Sequence, residues 1–298
     1  MNRRLLLAVL LGATLPGGAF ARCEGYVPQP KPQNTFAQDV GRDFERITED
    51  GWIEFAVYED FFPWSYEQGG EAKGVDVEIG RIIAGDLGVT PRFRLVQAGE
   101  NLEADLMNYV WKGAVVNGHV SDVMLHVPYD SELICRIEQV AFTGQYMTET
   151  VAIAYRPRDY PEKPPTPPYF RYDPVAVQND SISDFFLTNL LGAQAKIKRL
   201  PSAQAAVDAL ASGETMAAMA PRGELEGGLA RHPGTEFAVT EPPLLGFARG
   251  KWTLGVGVGF QHKDLGYAID MAIEKALEDG RIAAVFQEHG LTFAPPAR

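Results

Sequence analysis

The chain has 298 residues, with 27 Lys and Arg against 39 Asp and Glu and a formal charge of −12. Hydrophobic residues make up 46% and charged residues 22%, a composition that folds, unlike that of a disordered or fibrous chain. The acidic balance argues against a general nucleic-acid binder, which needs positive surface to displace counterions from phosphate.

Arg3 and Arg4 precede an apolar run from Leu5 to Leu15, Pro16-Gly17-Gly18 breaks it, and Ala19-Phe20-Ala21 ends it. A charged start, a short apolar core and an A-x-A end predict a secretory signal peptide over residues 1–21, cleaved after Ala21, and hence a periplasmic protein. Arg22 stands where a lipoprotein signal needs a small residue before Cys23. No later segment is long and apolar enough to span a membrane. Cys23 and Cys135 are the only cysteines. In an oxidising compartment they read as one disulfide, with two unpaired thiols as the alternative.

Residues 22–49 read as an N-terminal arm, extended and Pro- and Gln-rich between Val27 and Gln38. Trp52 to Val57 reads as a strand. Asp76 begins a helix whose apolar face is Ile79, Ile82, Ile83 and Leu87, closed by Gly88. Phe93 and Leu95 alternate in the next strand, Leu102, Leu106 and Tyr109 follow on a helix, and Val120 to Val127 is a buried-strand run. Prolines 157, 161, 164, 165, 167 and 168 mark a stiff surface excursion. Val175 to Val177 is a strand, and Ser181 with Asp184 caps the helix after it. Ile197 to Leu200, a helix around Val207 and Leu210, and Met216 to Met219 repeat the rhythm. Ile269, Ile273 and Leu277 then share a helix face, Gly280 interrupts, and Val285 and Phe286 face inward.

Strands separated by helices of this length predict parallel βαβ units in an α/β fold. Two such halves are joined near residues 144–156 and again near 241–248. One lobe is expected over 50–145 plus 246–298 and the other over 146–245.

Asp60-Phe61-Phe62-Pro63-Trp64-Ser65-Tyr66, then Gly74-Val75-Asp76-Val77 opening a helix, and the helix–Gly–helix ending from Ala272 to Gly290 resemble the family 3 extracellular solute-binding proteins. The resemblance covers roughly residues 50–292. It implies a two-lobed periplasmic binding protein fold of type II, each lobe a mixed sheet flanked by helices, with a ligand cleft between lobes that closes by hinge motion. A narrower resemblance is to the XoxJ/MxaJ group, binding-protein homologues that accompany pyrroloquinoline-quinone (PQQ) methanol dehydrogenases. It is carried by the segments Asp122 to Asp130, Glu138 to Tyr146, Pro168 to Asp173 and Asn179 to Asp184. Ala56 to Asp60 looks more like the XoxJ branch, which goes with lanthanide-dependent enzymes. The resemblance implies a non-enzymatic accessory of a periplasmic, XoxF-like methanol dehydrogenase and its cytochrome c, with no tightly bound cofactor and only transient PQQ or lanthanide contact through the partner. The alternative is a transporter's receptor for a small polar solute.

Phe61, Phe62 and Trp64 are candidates to stack on a ligand, or else pack the lobe core or a partner interface. Asp60 binds a polar ligand or caps a turn. His126 is a ligand contact or a satisfied interior group, and Tyr129 and Tyr146 belong to the same candidate cleft. Asn179, Asp180 and Ser181 open a helix, where free N–H groups favour anions but simple capping competes. By the resemblance, Arg136 takes the place of the arginine that holds an amino acid's carboxylate, a surface salt bridge being its other reading. Ala220-Pro221-Arg222 stands where the family has its amine-binding Asp, so Arg222 joins the candidates and a buried ammonium is expected to lack a counter-charge. Gly255-Val256-Gly257-Val258-Gly259 lacks dinucleotide-site spacing, and the five histidines show no paired metal spacing.

Overall fold

The computed structural model describes Cys23 and residues 40–115, 118–244 and 250–297. The segment read as a signal peptide and the Pro- and Gln-rich stretch lie outside the described residues. In chain order the elements are α1 (Phe44–Asp50), β1 (Trp52–Tyr58), β2 (Asp60–Phe61), β3 (Ser65–Gln68), β4 (Glu71–Lys73), α2 (Val75–Leu87), β5 (Thr90–Val96), α3 (Leu102–Leu106), β6 (Val123–Pro128), α4 (Ser131–Arg136) and β7 (Val140–Tyr155). There follow β8 (Val175–Gln178), α5 (Ile182–Leu191), β9 (Ile197–Leu200), α6 (Ala203–Ser212), β10 (Ala217–Pro221), α7 (Arg222–Leu229), β11 (Ala238–Thr240), β12 (Lys251–Gly259), α8 (Lys263–Glu278) and α9 (Arg281–Glu288).

One nine-stranded sheet runs β5-β1-β6-β12-β7-β10-β8-β9, with β11 also on β7. β1 pairs parallel with β5 and β6, and β8 pairs parallel with β9 and β10. β7 and β12 are the antiparallel strands that join these halves. β7 is 16 residues long, about 50 Å at the usual rise per residue, and it belongs to both lobes. Residues from Val140 to Thr150 pair with β12, and Val151 to Tyr155 pair with β10 on one side, the last three also with β11 on the other.

Each lobe has its own core on both faces of its strands, as buried parallel strands require. In lobe 1, Phe55, Val57, Val123 and Leu125 pack under Ile79, Ile83, Ile269 and Phe286, while Ala56, Met124 and Val127 face Leu106 and Val110. In lobe 2, Val151, Ile153 and Tyr155 pack with Val175, Phe186 and Leu187. The alternate residues Ala152 and Ala154, with Ala176 and Ala218, present a shallow face that seats Val207, Leu210 and Leu225 of α6 and α7.

Local chemistry sets the element ends. Ser181 accepts from the Asp184 N–H to start α5, and Gly88 ends α2 in the left-handed region at φ 73°. Two expectations change. α1 lies within the stretch read as arm, because Asp43 caps it and Ile47 buries fully in the lobe 1 core. The proline excursion rests against lobe 2, with Pro165, Pro167 and Phe170 buried. Cys23 and Cys135 form a disulfide, sulfurs 2.06 Å apart. Among the described residues no helix is long and apolar enough to cross a membrane.

Candidate functional site

The two lobes meet where β7 passes from one to the other. Lobe 1 contributes the loop between β2 and β3. Its Trp64 is 1% exposed and packs on the His126 ring (5.0 Å) and on Phe286 (6.0 Å). His126 sits in β6 at a register irregularity against β12, with φ 61°. A non-glycine residue in that region is strained, and bulges of this kind re-aim side chains. The conformation is held from two sides: the His126 N–H donates to the Tyr146 hydroxyl (3.0 Å), and the ring Nδ1 lies 3.0 Å from Asp76 Oδ2. Tyr146 in turn donates to Asp76 Oδ1 at 2.8 Å. Burial, with the Asp76 charge beside it, pushes the Tyr146 hydroxyl well above its ordinary pKa. Asp76 lies in the first turn of α2, where the N-terminal end of a helix favours a negative group.

Lobe 2 contributes the N-terminus of α7. Glu149, the last but one residue of β7 before the crossing, is 3% exposed and aims its carboxylate at that helix end. Its Oε1 accepts from the N–H groups of Thr150 (2.7 Å) and Arg222 (3.1 Å), and Oε2 accepts from Gly223 (3.4 Å). Burial nevertheless pushes Glu149 up to about 7, against the pull of the Thr150 N–H and the His126 imidazole. One helical step on, burial and the nearby Glu149 push Glu224 up to about 8.

The lobes touch directly. A methyl group on Gly223 would overlap the Trp64 indole, and one on Gly227 would come within 2.9 Å of the Pro63 ring. Arg231 lies 3.8 Å over the Phe62 ring from the far end of α7. A cavity of about 90 Å3 remains beside Trp64, Thr148, Glu149 and Gly223, well below the usual several hundred Å3 of a small-molecule site.

A larger cavity of about 350 Å3 lies away from the crossing, beside Arg42, Trp52, Glu54, Lys112, His119 and Asp122. Several of its charges already serve one another: Arg42 bonds Asp50 and Asp122, and Glu54 bonds His119 and Ser121. We therefore place the candidate site between the lobes.

Of the residues singled out in the sequence, Phe61, Phe62, Trp64, His126, Tyr146 and Arg222 lie in or next to this contact. Phe61 packs edge-on against His126 at 4.9 Å. Arg222 sits on its rim, bonded to Glu226 (2.7 Å), Glu241 and Thr292. Asp60 is exposed and pairs with Tyr66 in the small β2-β3-β4 sheet. The Tyr129 N–H bonds the Thr253 carbonyl. Arg136 stands on α4, its guanidinium 3.2 Å from Glu103 and 3.9 Å from Glu132. Asn179, Asp180 and Ser181 are the start of α5, where Asp184 accepts the Asp180 N–H (3.2 Å) and pairs with Arg199 (2.9 Å).

One expectation is corrected. Ala220-Pro221-Arg222 indeed carries no carboxylate, yet Glu149 reaches the lobe contact along β7 and Glu224 stands near it in the first turn of α7. A lost counter-charge therefore no longer speaks against an amine-bearing solute. These two, with Asp76, Gly223 and Gly227, are what sequence reasoning missed. The available signal was Gly223, Gly227 and Gly228 within an eight-residue helix, a composition unfavourable to helix and indicative of close approach.

The sequence matches no protein-family model and no curated protein. Solved structures are similar over most of the chain. An ancestral cationic amino acid solute-binding protein superposes with a TM-score of 0.66 at 18% identity, over 83% of this chain and 99% of that one. The L-cystine solute receptor of Neisseria gonorrhoeae, in its unliganded open conformation, gives 0.64 at 16% identity, over 86% and 100%. An amino acid transporter substrate-binding protein of Streptococcus pneumoniae bound to L-arginine gives 0.59 at 17% identity, over 84% and 99%. The chain thus has the type II periplasmic binding-protein fold, two α/β lobes bridged by paired strands.

Proposed function

We propose that the protein is a periplasmic solute receptor that takes a small polar solute between its lobes. The observation that carries this reading is the junction itself, where an aromatic wall from lobe 1 faces the N-terminus of α7 from lobe 2, with the Glu149 carboxylate of β7 bonded to that helix end and Glu224 beside it. Hinged closure about such a crossing is how two-domain binders enclose ligands. The similar structures support it, being a cationic amino acid binder, a cystine receptor and an arginine-bound transporter subunit. A transporter permease is then the partner, and no tightly bound cofactor or catalytic step belongs to this reading.

A thermal-shift screen of amino acids, amines, polyols, PQQ and lanthanide ions tests it, because a ligand bound only by the folded state raises the melting temperature by mass action. A concentration-dependent rise with one solute is expected, and no rise with any of them would contradict the reading. The accessory role beside an XoxF-like methanol dehydrogenase rests on the sequence segments alone. Its test is a pull-down with the apo and loaded dehydrogenase, where association in either state would favour it.

A further inference from the structure

The contact between the lobes is complete without a solute. We propose that this site is self-occupied, with Trp64 of lobe 1 seated on Gly223 of lobe 2 as a tethered occupant, and that the seating is linked to protons taken up by Glu149 and Glu224. The fit is close at the indole and at the proline before it. Gly223 leaves no space for a side chain under it, and Gly227 leaves none under Pro63. Arg231 stacks on Phe62 and holds the same loop from the opposite end of α7. The 90 Å3 that remain hold a few heavy atoms at most, so a metabolite-sized solute enters only by displacing Trp64.

The surrounding charges explain why protons matter. Glu149 is bonded by backbone N–H groups, which lower its pKa but bring no full positive charge. From lobe 1 the group acting on it is His126, which is already 3.0 Å from Asp76, itself bonded by the Tyr146 hydroxyl. On α7, Arg222 is directed away to Glu226 and Glu241, and Glu224 adds a second acid. Seating therefore covers the buried Glu149 carboxyl with no cation committed to it, and the partly exposed Glu224 adds a like charge nearby. Both are pushed up from an ordinary 4.5, to about 7 and about 8, so the closed form holds its protons more tightly than a solvated, open form. Closure is favoured below pH 4.5 and weakens as pH rises toward those values. By linkage, each group lowers the closed-to-open ratio by up to tenfold per pH unit across that window, and then no further. Solvent that reaches half-buried Glu224 reduces its share.

The C-terminal tail straps the crossing beside the same cavity. The C-terminal tail bonds β7 through the Thr148 N–H to Ala294 O (2.9 Å) and Thr148 Oγ1 to Pro295 O (2.8 Å), and it bonds α7 through Thr292 to Glu226. Opening therefore parts Thr292 from Glu226 as well as Trp64 from Gly223.

Small-angle scattering on the mature chain without any solute, between pH 5 and pH 9, tests the device separately from the identity of the solute. The expected radius of gyration is smaller at pH 5 and grows through pH 7–8. It stays small across the range in the double variant E149Q/E224Q and stays large in G223A, with circular dichroism confirming that each is folded. A radius that is the same at pH 5 and pH 9 in the natural chain would overturn the proposal, as would the double variant opening with the natural midpoint.

Discussion

Two helices of lobe 2 begin in nearly the same way and end in opposite electrostatic states. At the start of α5, Asp184 lies beside the Ser181 cap. Burial alone would raise its pKa, but the Arg199 guanidinium, the Asp180 N–H and the Thr188 hydroxyl hold it below the usual carboxylate range. At the start of α7, Glu149 also receives backbone N–H groups, yet it has no committed cation and is pushed up to about 7. A helix N-terminus offers partial positive charge to either group. What separates the two is a full counter-ion and water. Arg199 is 44% exposed, whereas Trp64 roofs the α7 end.

That contrast can be broken from either side. The largest effect is expected for Trp64→Ala, which removes a fully buried ring. Urea unfolding should show a loss of about 3–5 kcal/mol, typical of large-to-small aromatic truncation in a core. A loss below 1 kcal/mol would mean that the indole is not seated in solution. Next comes Glu149→Gln. A carboxyl whose folded pKa is raised from 4.5 to about 7 withdraws stability as pH climbs through that window, by up to about 3 kcal/mol in total. The amide can still accept the Thr150 and Arg222 N–H groups through one oxygen. The variant should therefore match the natural chain near pH 4.5 and exceed it in unfolding free energy at pH 8, and parallel pH profiles would contradict the assignment.

On the α5 side the sign reverses. Asp184 is held low, so its contribution is present at neutral pH and disappears as pH falls through its lowered pKa. Arg199→Met should cost about 1 kcal/mol or less at pH 7, since the guanidinium is partly solvated, and the loss should vanish in acid. Ser181→Ala removes a cap whose hydrogen bond is 3.3 Å long. About 0.5–1 kcal/mol is expected from thermal or urea unfolding, with no dependence on pH.

Much of the scaffold is legible in the residue order. Val151-Ala152-Ile153-Ala154-Tyr155 alternates large and small with the two-residue period of a strand, and the structure puts the large set on one core and the alanines on the other. Gly88 and Ser181 terminate helices as their chemistry dictates. The site is less legible, because its members come from distant segments. Nothing near Glu149 in the sequence announces α7, which lies 73 positions away at Arg222. The spacing of residues after β10 shows a missing carboxylate and cannot show that β7 delivers another to the same place. Arg136 illustrates the converse: its position before β7 suggests a ligand contact, but α4 turns it toward Glu103 and Glu132. The Gly-x-Gly-x-Gly run of β12 is also explained only by tertiary structure, since a side chain at Gly255 would strike the Thr143 carbonyl of β7.

The protonation of Glu149 is the quantity on which self-closure depends, and infrared difference spectroscopy reads it directly. At pH 6 the natural chain minus E149Q should show the stretch of a protonated carboxylic acid, titrating away with a midpoint near 7. A difference spectrum containing only ionised carboxylate at pH 6 would contradict proton-linked seating of the lobes.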